Sequence, residues 1–275
     1  MRTLRICYLG VLGGLIVVAG LAVGSRPAAA VPPQAALSVD FNKLPDFVGI
    51  HLGMPLDQAK AAFEKAFPSG IDALMYTYGP GGQFKAVYVL RTKNTDGGRL
   101  GGTMEVDLTL PPNPQVVWQV LRSAPQPNVN RSVLLAALRQ KYGKESLAID
   151  NDTRRAATND KGIVDMYWAM DEQGRLVSGT PPMVNNAPFG CAISAGNNGG
   201  IDRVPEGVPE YCAKSYVGLH VGFGTQEIIT STGMDMMDIP LRMRNSSATY
   251  AFTQGQNQKL LQQQQEKSKE MKPAI

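Results

Sequence analysis

Segments that alternate apolar and polar residues constrain the fold of this chain more than any other feature of its sequence. In Thr103–Leu110 every second side chain is apolar, and Val164–Met170 and Tyr216–Phe223 follow the same rule. A period of two is typical of half-exposed antiparallel strands, because successive side chains point to opposite faces of a sheet. Phe84–Leu90 is apolar on both faces, which predicts a central strand. Weaker strand patterns occur in Leu74–Tyr78, Val116–Leu121, Glu227–Thr232 and Ala248–Phe252.

Two short helices are predicted, each with one apolar face. The first starts at Gly53-Met54-Pro55, where proline suits the first turn, and its apolar residues recur at helical spacing until Pro68. The second follows Asn130, a good N-cap, and ends at Gly143, which readily takes the left-handed conformation after a helix. The predicted fold class is therefore α+β, a mainly antiparallel sheet of about eight strands with two short helices packed on one face.

The order of these elements repeats along the chain. A helix followed by about four strands occurs twice, which allows two similar halves, 40–125 and 126–253, within one α+β domain spanning 40–253. Between the later strands, 179–212 is a long irregular segment rich in glycine and proline. Residues 254–275 form a polar tail rich in Gln and Lys, and its few apolar side chains predict a frayed helix or disorder.

The first thirty residues have the pattern of an export signal. Two arginines precede the uncharged segment Ile6–Gly24, and Ala28 and Ala30 occupy the small-residue positions of a cleavage site. We expect cleavage after Ala30, a Pro/Ala leader over 31–39, and a periplasmic or extracellular location. An uncleaved membrane anchor is the alternative. Cleavage removes three of the 27 Lys and Arg residues and leaves 24 against 23 Asp and Glu, so nucleic acid is a poor partner.

Two cysteines, Cys191 and Cys212, remain after cleavage of the signal. In an oxidising compartment, an even pair predicts one disulfide. That bond would close most of the irregular segment and restrict it in the unfolded state. Two buried free thiols are the alternative.

The sequence contains no motif of a common catalytic or metal site. Glu105 and Asp107 share one exposed strand face, a spacing that suits a carboxylate pair but that simple alternation also produces. Met234–Asp238 offers thioether and carboxylate groups, although methionines in a strand usually belong to a core. His51 and His220 have no metal-ligating partner at a short spacing. We therefore predict no catalytic residues, no metal and no cofactor.

Two short motifs resemble those of exported bacterial proteins. Phe47–Ala59 resembles the G-x-x-x-G-M-x-x-x-x-A helix start of proteins of the BamE (SmpA/OmlA) and β-lactamase-inhibitor-like type, and Leu138–Lys144 resembles the L-x-x-K-Y-G helix end of such small envelope proteins. The resemblance implies short helices on an antiparallel sheet, in some cases in tandem, with a binding role. This chain differs from BamE in having no cysteine for lipid attachment after the signal.

These observations favour a non-enzymatic binding or interaction protein of the cell envelope, whose partner is another envelope protein or a wall component. Tyrosines near irregular segments are candidate binding residues, namely Tyr76, Tyr78, Tyr88, Tyr211 and Tyr216. The alternative is a secreted hydrolase that uses carboxylates, with the candidates Glu105, Asp107, Asp165 and Asp171. A cleft that holds two of these carboxylates about 5 to 9 Å apart would favour the hydrolase.

Overall fold

One antiparallel sheet of eight strands organises this chain in a computed structural model. The structure describes residues 46–93, 102–153, 156–170, 176, 183–184, 187–188 and 217–270, all in one compact unit. The predicted α+β class is confirmed. The predictions for the signal, the leader, the cysteine pair, Tyr211, Tyr216 and Asp171 lie outside the described residues.

Ten strands and three helices follow one another in the described part of the chain. The strands are β1 (Ile71–Tyr78), β2 (Phe84–Thr92), β3 (Thr103–Leu108), β4 (Val117–Asn130), β5 (Leu147–Asp150), β6 (Ile163–Met170), β7 (Met183–Val184), β8 (Ala187–Pro188), β9 (Val217–Phe223) and β10 (Ile228–Asp238). The helices are α1 (Leu56–Ala66), α2 (Arg131–Tyr142) and α3 (Ile239–Glu270). The order in the large sheet is β1-β2-β3-β4-β10-β9-β6-β5, while β7 and β8 pair separately.

The large sheet consists of two four-stranded halves that meet at its centre. In each half a helix precedes four antiparallel strands: α1 precedes β1 to β4, and α2 precedes β5, β6, β9 and β10. The last strand of each half pairs with that of the other, and the β4–β10 register extends from Ile228 opposite Asn130 to Met237 opposite Gln119. The β4–β10 pair thus joins the two groups of four strands into one continuous sheet.

The core lies between this sheet and the first two helices. One row of side chains crosses six strands in register and is at most 1% exposed, and we refer to it as the core row: Leu90, Val106, Val120, Met236, Leu219 and Trp168. Phe63 of α1 and Leu135 of α2 pack in the same cluster. Burying each such side chain contributes about 1.5 to 3 kcal/mol. Both predicted helices therefore cover one face of the sheet.

A buried arginine fixes the start of α2. Arg131 is 3% exposed, and its guanidinium donates hydrogen bonds to the carbonyl oxygens of Ile163, Gly224 and Gln226. These carbonyls lie in β6 and in the turn between β9 and β10. Because a buried charge is costly unless it is fully hydrogen-bonded, this arrangement holds α2 at one position over the second half.

The third helix corrects one prediction about the C-terminal part of the chain. Ala248–Phe252 is helical rather than a strand, and the same helix continues through Glu270, across the polar tail for which a frayed helix or disorder was predicted. Local hydrogen bonding explains its start, because the Asp238 carboxylate accepts the backbone N–H of Leu241 at 2.8 Å. The prediction of two short helices was therefore incomplete, because the described residues form three.

Polar contacts, which hydrophobic periodicity does not detect, hold the first half of α3 in place. Asn245 is 1% exposed; its Oδ1 accepts the backbone N–H of Leu110 at 2.8 Å and its Nδ2 donates to the Leu110 carbonyl at 2.6 Å. The Thr249 hydroxyl donates to the carbonyl of Pro111 at 3.0 Å. The last half of the helix differs, since every residue from 258 to 269 is exposed. None of the helices described has both the length and the apolar character needed to cross a membrane.

Candidate functional site

One row of side chains crosses all eight strands on the sheet face opposite α1 and α2. In strand order from β1 to β5, the backbone register aligns Asp72, Arg91, Glu105, Leu121, Asp235, His220, Tyr167 and Leu147. Each of these residues neighbours a position that faces the helices, so alternation directs its side chain to the other face. We refer to this row as the charged row.

His220, a member of the charged row, lies between two aspartates. Its Nε2 is 3.0 Å from Oδ1 of Asp165, and its Nδ1 is 3.2 Å from Oδ2 of Asp235. The three side chains come from the adjacent strands β6, β9 and β10. The imidazole also stacks on Tyr167, with ring centroids 4.5 Å apart and planes 12° from parallel. With a carboxylate at each nitrogen, the protonated ring donates two hydrogen bonds.

The two carboxylates keep this histidine charged. Burial alone would lower the pKa of His220, but the hydrogen bonds and negative charges of Asp165 and Asp235 outweigh it and raise that pKa to about 9. Both ring nitrogens are already engaged, so neither is available as a base, a nucleophile or a metal ligand. His220 therefore acts as a fixed cation that holds Asp235 in position.

A glycine makes room for this arrangement. Gly222 pairs with Asp165 across the strands, and a Cβ at Gly222 would come within 3.0 Å of Oδ1 of Asp165 and 3.5 Å of the His220 ring. Contacts below 3.4 Å force the neighbouring group to move. Glycine at 222 therefore allows Asp165 and His220 to meet at hydrogen-bonding distance.

A groove of about 590 Å³ runs beside Asp235 on the same face, with both charged and apolar groups in its lining. Side chains of the charged row line it: Asp72, Arg91, Glu105, Leu121 and Asp235. The neighbouring row adds the hydroxyl residues Thr103 and Ser123 together with Gly233. Met104, Arg122 and Met234 come between these positions along the strands, so they border the groove with their backbone.

The carboxylates named from the sequence separate into three environments. Glu105 lines the groove. Asp165 is bound to His220. Asp107, two residues from Glu105, lies outside the groove lining and close to Arg242 of α3. Burial and the negative charge of Glu105 raise the pKa of Asp107 to about 7, although the Arg242 charge lowers it.

The candidate binding tyrosines lie in another part of the sheet. Tyr78 is buried, and Tyr76 and Tyr88 are partly buried against the same small cluster under α3. Ring centroids are 6.3 Å apart between Tyr76 and Tyr78 and 5.6 Å apart between Tyr76 and Tyr88. Phe252 of α3 packs on Phe84 of β2 in this cluster, at 5.0 Å. Burial also raises the pKa of the Tyr78 hydroxyl.

The methionine-rich strand end and the other histidine have structural contacts. Met236 belongs to the core row and Met237 is 5% exposed, while Asp238 caps α3. Burial raises the pKa of Asp238. Nδ1 of His51 lies 2.9 Å from the carbonyl oxygen of Leu52. Within the described residues, no group of three or more His, Cys, Asp or Glu is arranged to hold a metal ion.

Sequence reasoning missed the grouping of Asp165, His220 and Asp235. The partners of His220 are 55 and 15 residues away along the chain, so no local spacing connects them. The available signal was that His220 and Asp165 lie at outward positions of two predicted strands. Converting that signal into a contact requires the register between strands, which alternation alone does not give.

Comparison with known proteins adds no relative. No family model, curated protein or solved structure matches this chain.

Proposed function

We propose that this protein is an exported, non-enzymatic binding protein of the cell envelope that holds another envelope protein or a wall component in the groove beside Asp235. The first thirty residues have the pattern of an export signal, which supports the location. The observation that carries the binding role is the groove itself, a cavity of about 590 Å³ on the sheet face opposite α1 and α2. Sites that hold small ligands commonly measure about 300 to 1,000 Å³.

The groove is built on a rigid support. Its lining residues lie on five adjacent strands, β1, β2, β3, β4 and β10, whose other face is packed in the core. Side chains held by strands keep their positions better than side chains on loops. The only ion pair we find among the described groove residues joins Arg91 Nε to Asp72 Oδ2 at 3.8 Å, and both side chains are nearly half exposed. Their charged groups therefore remain accessible to a ligand.

Retention of a ligand from the native envelope tests this proposal. Immobilised mature protein is incubated with an envelope extract, and the retained species are identified by mass spectrometry. We expect a species that wild type and the Glu64→Gln control retain equally and that Glu105→Gln retains about tenfold less, because a lost charged hydrogen bond costs about 1.5 kcal/mol or more. Glu64 is an exposed residue of α1 outside the groove, so Glu64→Gln makes the same Glu-to-Gln substitution away from the proposed site. Retention that does not depend on Glu105 would refute a groove-based function.

N-terminal sequencing of the protein from its native source tests the export step separately. We expect the mature chain to begin at Val31. An intact precursor in the cytosol would contradict the proposed location.

One observation favours the alternative, a carboxylate-dependent hydrolase. Asp107 has a pKa raised to about 7 and lies two residues from Glu105, so a carboxyl group that holds a proton near neutral pH stands beside a groove carboxylate. General acid catalysis requires a group of this kind. Turnover of chromogenic glycosides or esters, abolished in both Glu105→Gln and Asp107→Asn, would establish the hydrolase and displace the binding function.

A further inference from the structure

We propose that this chain forms a two-fold symmetric dimer in which the exposed end of α3 from each copy lies across the groove of the other. The occupant is a second copy of the chain, so the inference goes beyond the proposed binding of an envelope ligand. It depends on the exposed end of α3, the charges of the groove, the agreement between the two in spacing, and the sheet face on which both lie.

The end of α3 is a helix without a covered side. Every residue from 258 to 269 is exposed, and we refer to this segment as the distal helix. Two of its side chains are large and apolar, with Leu260 42% and Leu261 56% exposed. Isolated helices shorter than about 12 to 15 residues are marginally stable in water. A partner that packs on the distal helix would therefore stabilise it and cover its leucines.

The groove has an excess of negative charge. Asp72, Glu105 and Asp235 line it, whereas Arg91 is the one cation of the charged row among the lining residues that the structure describes. Arg91 already pairs with Asp72 at 3.8 Å. Within the same described part of the chain, no cation pairs with Glu105. The groove is therefore suited to a cationic partner.

An apolar side chain separates the two carboxylates at the far end of the groove. Glu105 on β3, Leu121 on β4 and Asp235 on β10 are consecutive in the charged row. Because neighbouring strands lie about 4.8 Å apart, the two acidic positions are about 10 Å from each other. The groove thus presents the order acidic, apolar, acidic. His220 lies beyond Asp235, outside the groove lining, and holds that carboxylate in position.

The distal helix presents the complementary order on one of its faces. Lys259, Leu260, Gln263 and Lys267 lie within about 100° of one another around the helix axis, at 3.6 residues per turn. A rise of 1.5 Å per residue separates Lys259 from Lys267 by about 12 Å. The long lysine side chains can reach two carboxylates about 10 Å apart, and the leucine then meets the apolar position between them.

The overall dimensions and charges also agree. Five strands line the groove, which gives it a length of about 19 Å across the sheet. The distal helix is about 18 Å long at 1.5 Å per residue. It carries Lys259, Lys267 and Lys269 against the single acidic residue Glu266, so its net charge is opposite to that of the groove.

The groove and the distal helix belong to the same side of the sheet. Arg242, in the first half of α3, lies near Asp107, which shares a strand face with Glu105 of the groove. Two such faces that meet about a two-fold axis allow each distal helix to reach the groove of the other copy. A reciprocal contact of this kind closes after two copies. One helix face per groove is a small contact, so the dimer is transient and dilute protein is monomeric.

Sedimentation equilibrium of the purified mature chain tests the proposal. Over about 5 to 500 µM, a range that includes the dissociation constants of transient dimers, we expect the average mass to rise from that of a monomer toward that of a dimer. Salt at about 0.5 M should lower the association constant, because the charged contacts are exposed. Deletion of residues 258–275 should leave a monomer at every concentration.

Charge reversal then locates the contact. Glu105→Lys and Lys267→Glu should each lower the association constant about a hundredfold, because the dimer contains each altered contact twice, at about tenfold per contact. An equal mixture of these two variants should restore the dimer, since every groove then meets a helix of opposite charge. The same mixture with Lys259→Glu in place of Lys267→Glu covers the reverse direction of the helix. Lys60→Glu alters an exposed lysine of α1 and should leave association unchanged, and circular dichroism verifies that every variant is folded.

The remaining outcomes overturn the proposal. A chain that stays monomeric at about 500 µM has no such dimer. A dimer that survives the deletion, or that neither mixture restores, is formed by another surface. If the pure chain is monomeric while the groove retains a basic protein from the envelope extract, the occupant is a foreign cationic segment. Sedimentation uses the purified chain alone, so its failure leaves the ligand capture that tests the proposed function unaffected.

Discussion

His220 shows how neighbouring strands determine the charge of a single residue. Its two aspartate partners raise the pKa from 6.5 to about 9, which means that the folded protein binds this proton more tightly than the unfolded chain does. The resulting stabilisation is fully present below about pH 6.5 and is lost as the pH rises through about 9. A shift of this size corresponds to about 3 kcal/mol.

We predict that the free energy of unfolding in urea falls by roughly this amount between about pH 6 and pH 10. His220→Gln should remove most of that fall, because glutamine does not titrate. His51→Gln provides the control, since His51 faces a backbone carbonyl instead of carboxylates. An unchanged pH dependence in His220→Gln would show that the two aspartates do not hold a proton on the ring.

Substitution of two glycines tests the contact between Asp165 and His220 sterically. Gly222 and Gly233 face each other across β9 and β10, yet a Cβ at Gly222 meets Asp165 at 3.0 Å and a Cβ at Gly233 meets nothing. We predict that Gly222→Ala displaces Asp165 and lowers the pKa of His220, measured by NMR titration of its ring protons. Gly233→Ala should leave that pKa unchanged. Equal pKa values in the two variants would mean that Asp165 has room to move without losing its contact.

Helix α3 illustrates why an element without an apolar stripe escapes sequence analysis. Alternation and helical periodicity predicted α1, α2 and most strands, because each of those elements buries one apolar face locally. The four-residue strand β5 was missed because it is short. The position of α3 depends instead on Asn245 and Thr249, polar residues that bond to the backbone of residues 110 and 111. Such contacts with distant backbone leave no pattern in the sequence.

The two halves of α3 should therefore differ in their effect on stability. We predict that Asn245→Ala lowers the free energy of unfolding by about 2 to 4 kcal/mol, because it leaves the buried N–H and C=O of Leu110 without their partner. Deleting residues 258–275 should change it by about 0.5 kcal/mol or less, because the described residues from 258 onward are exposed. Urea titration measures both. A larger loss from the deletion would reveal a contact made by the distal helix.

On the scale of the whole molecule, the sequence predicted the fold class but not the groove. The signals for the first two helices and for most strands are local to each element. The charged row depends on register across eight strands, and the residues Asp72, Glu105 and Asp235 look like ordinary solvent-facing positions when each strand is considered alone. The candidate site is thus a property of the assembled sheet.

The pairing of β4 with β10 at the centre of the sheet also affects how the chain folds during synthesis. Gln126 of β4 donates a hydrogen bond to the hydroxyl of Thr232 on β10 across 106 residues of sequence. Until translation delivers that distant strand, β4 is an edge strand with unpaired backbone N–H and C=O groups, which favours aggregation. Pairing of strands so far apart in sequence is slow, so we expect the pairing of β10 with β4 to limit the folding rate. A chaperone that covers the exposed edge of β4 would raise the yield of folded protein.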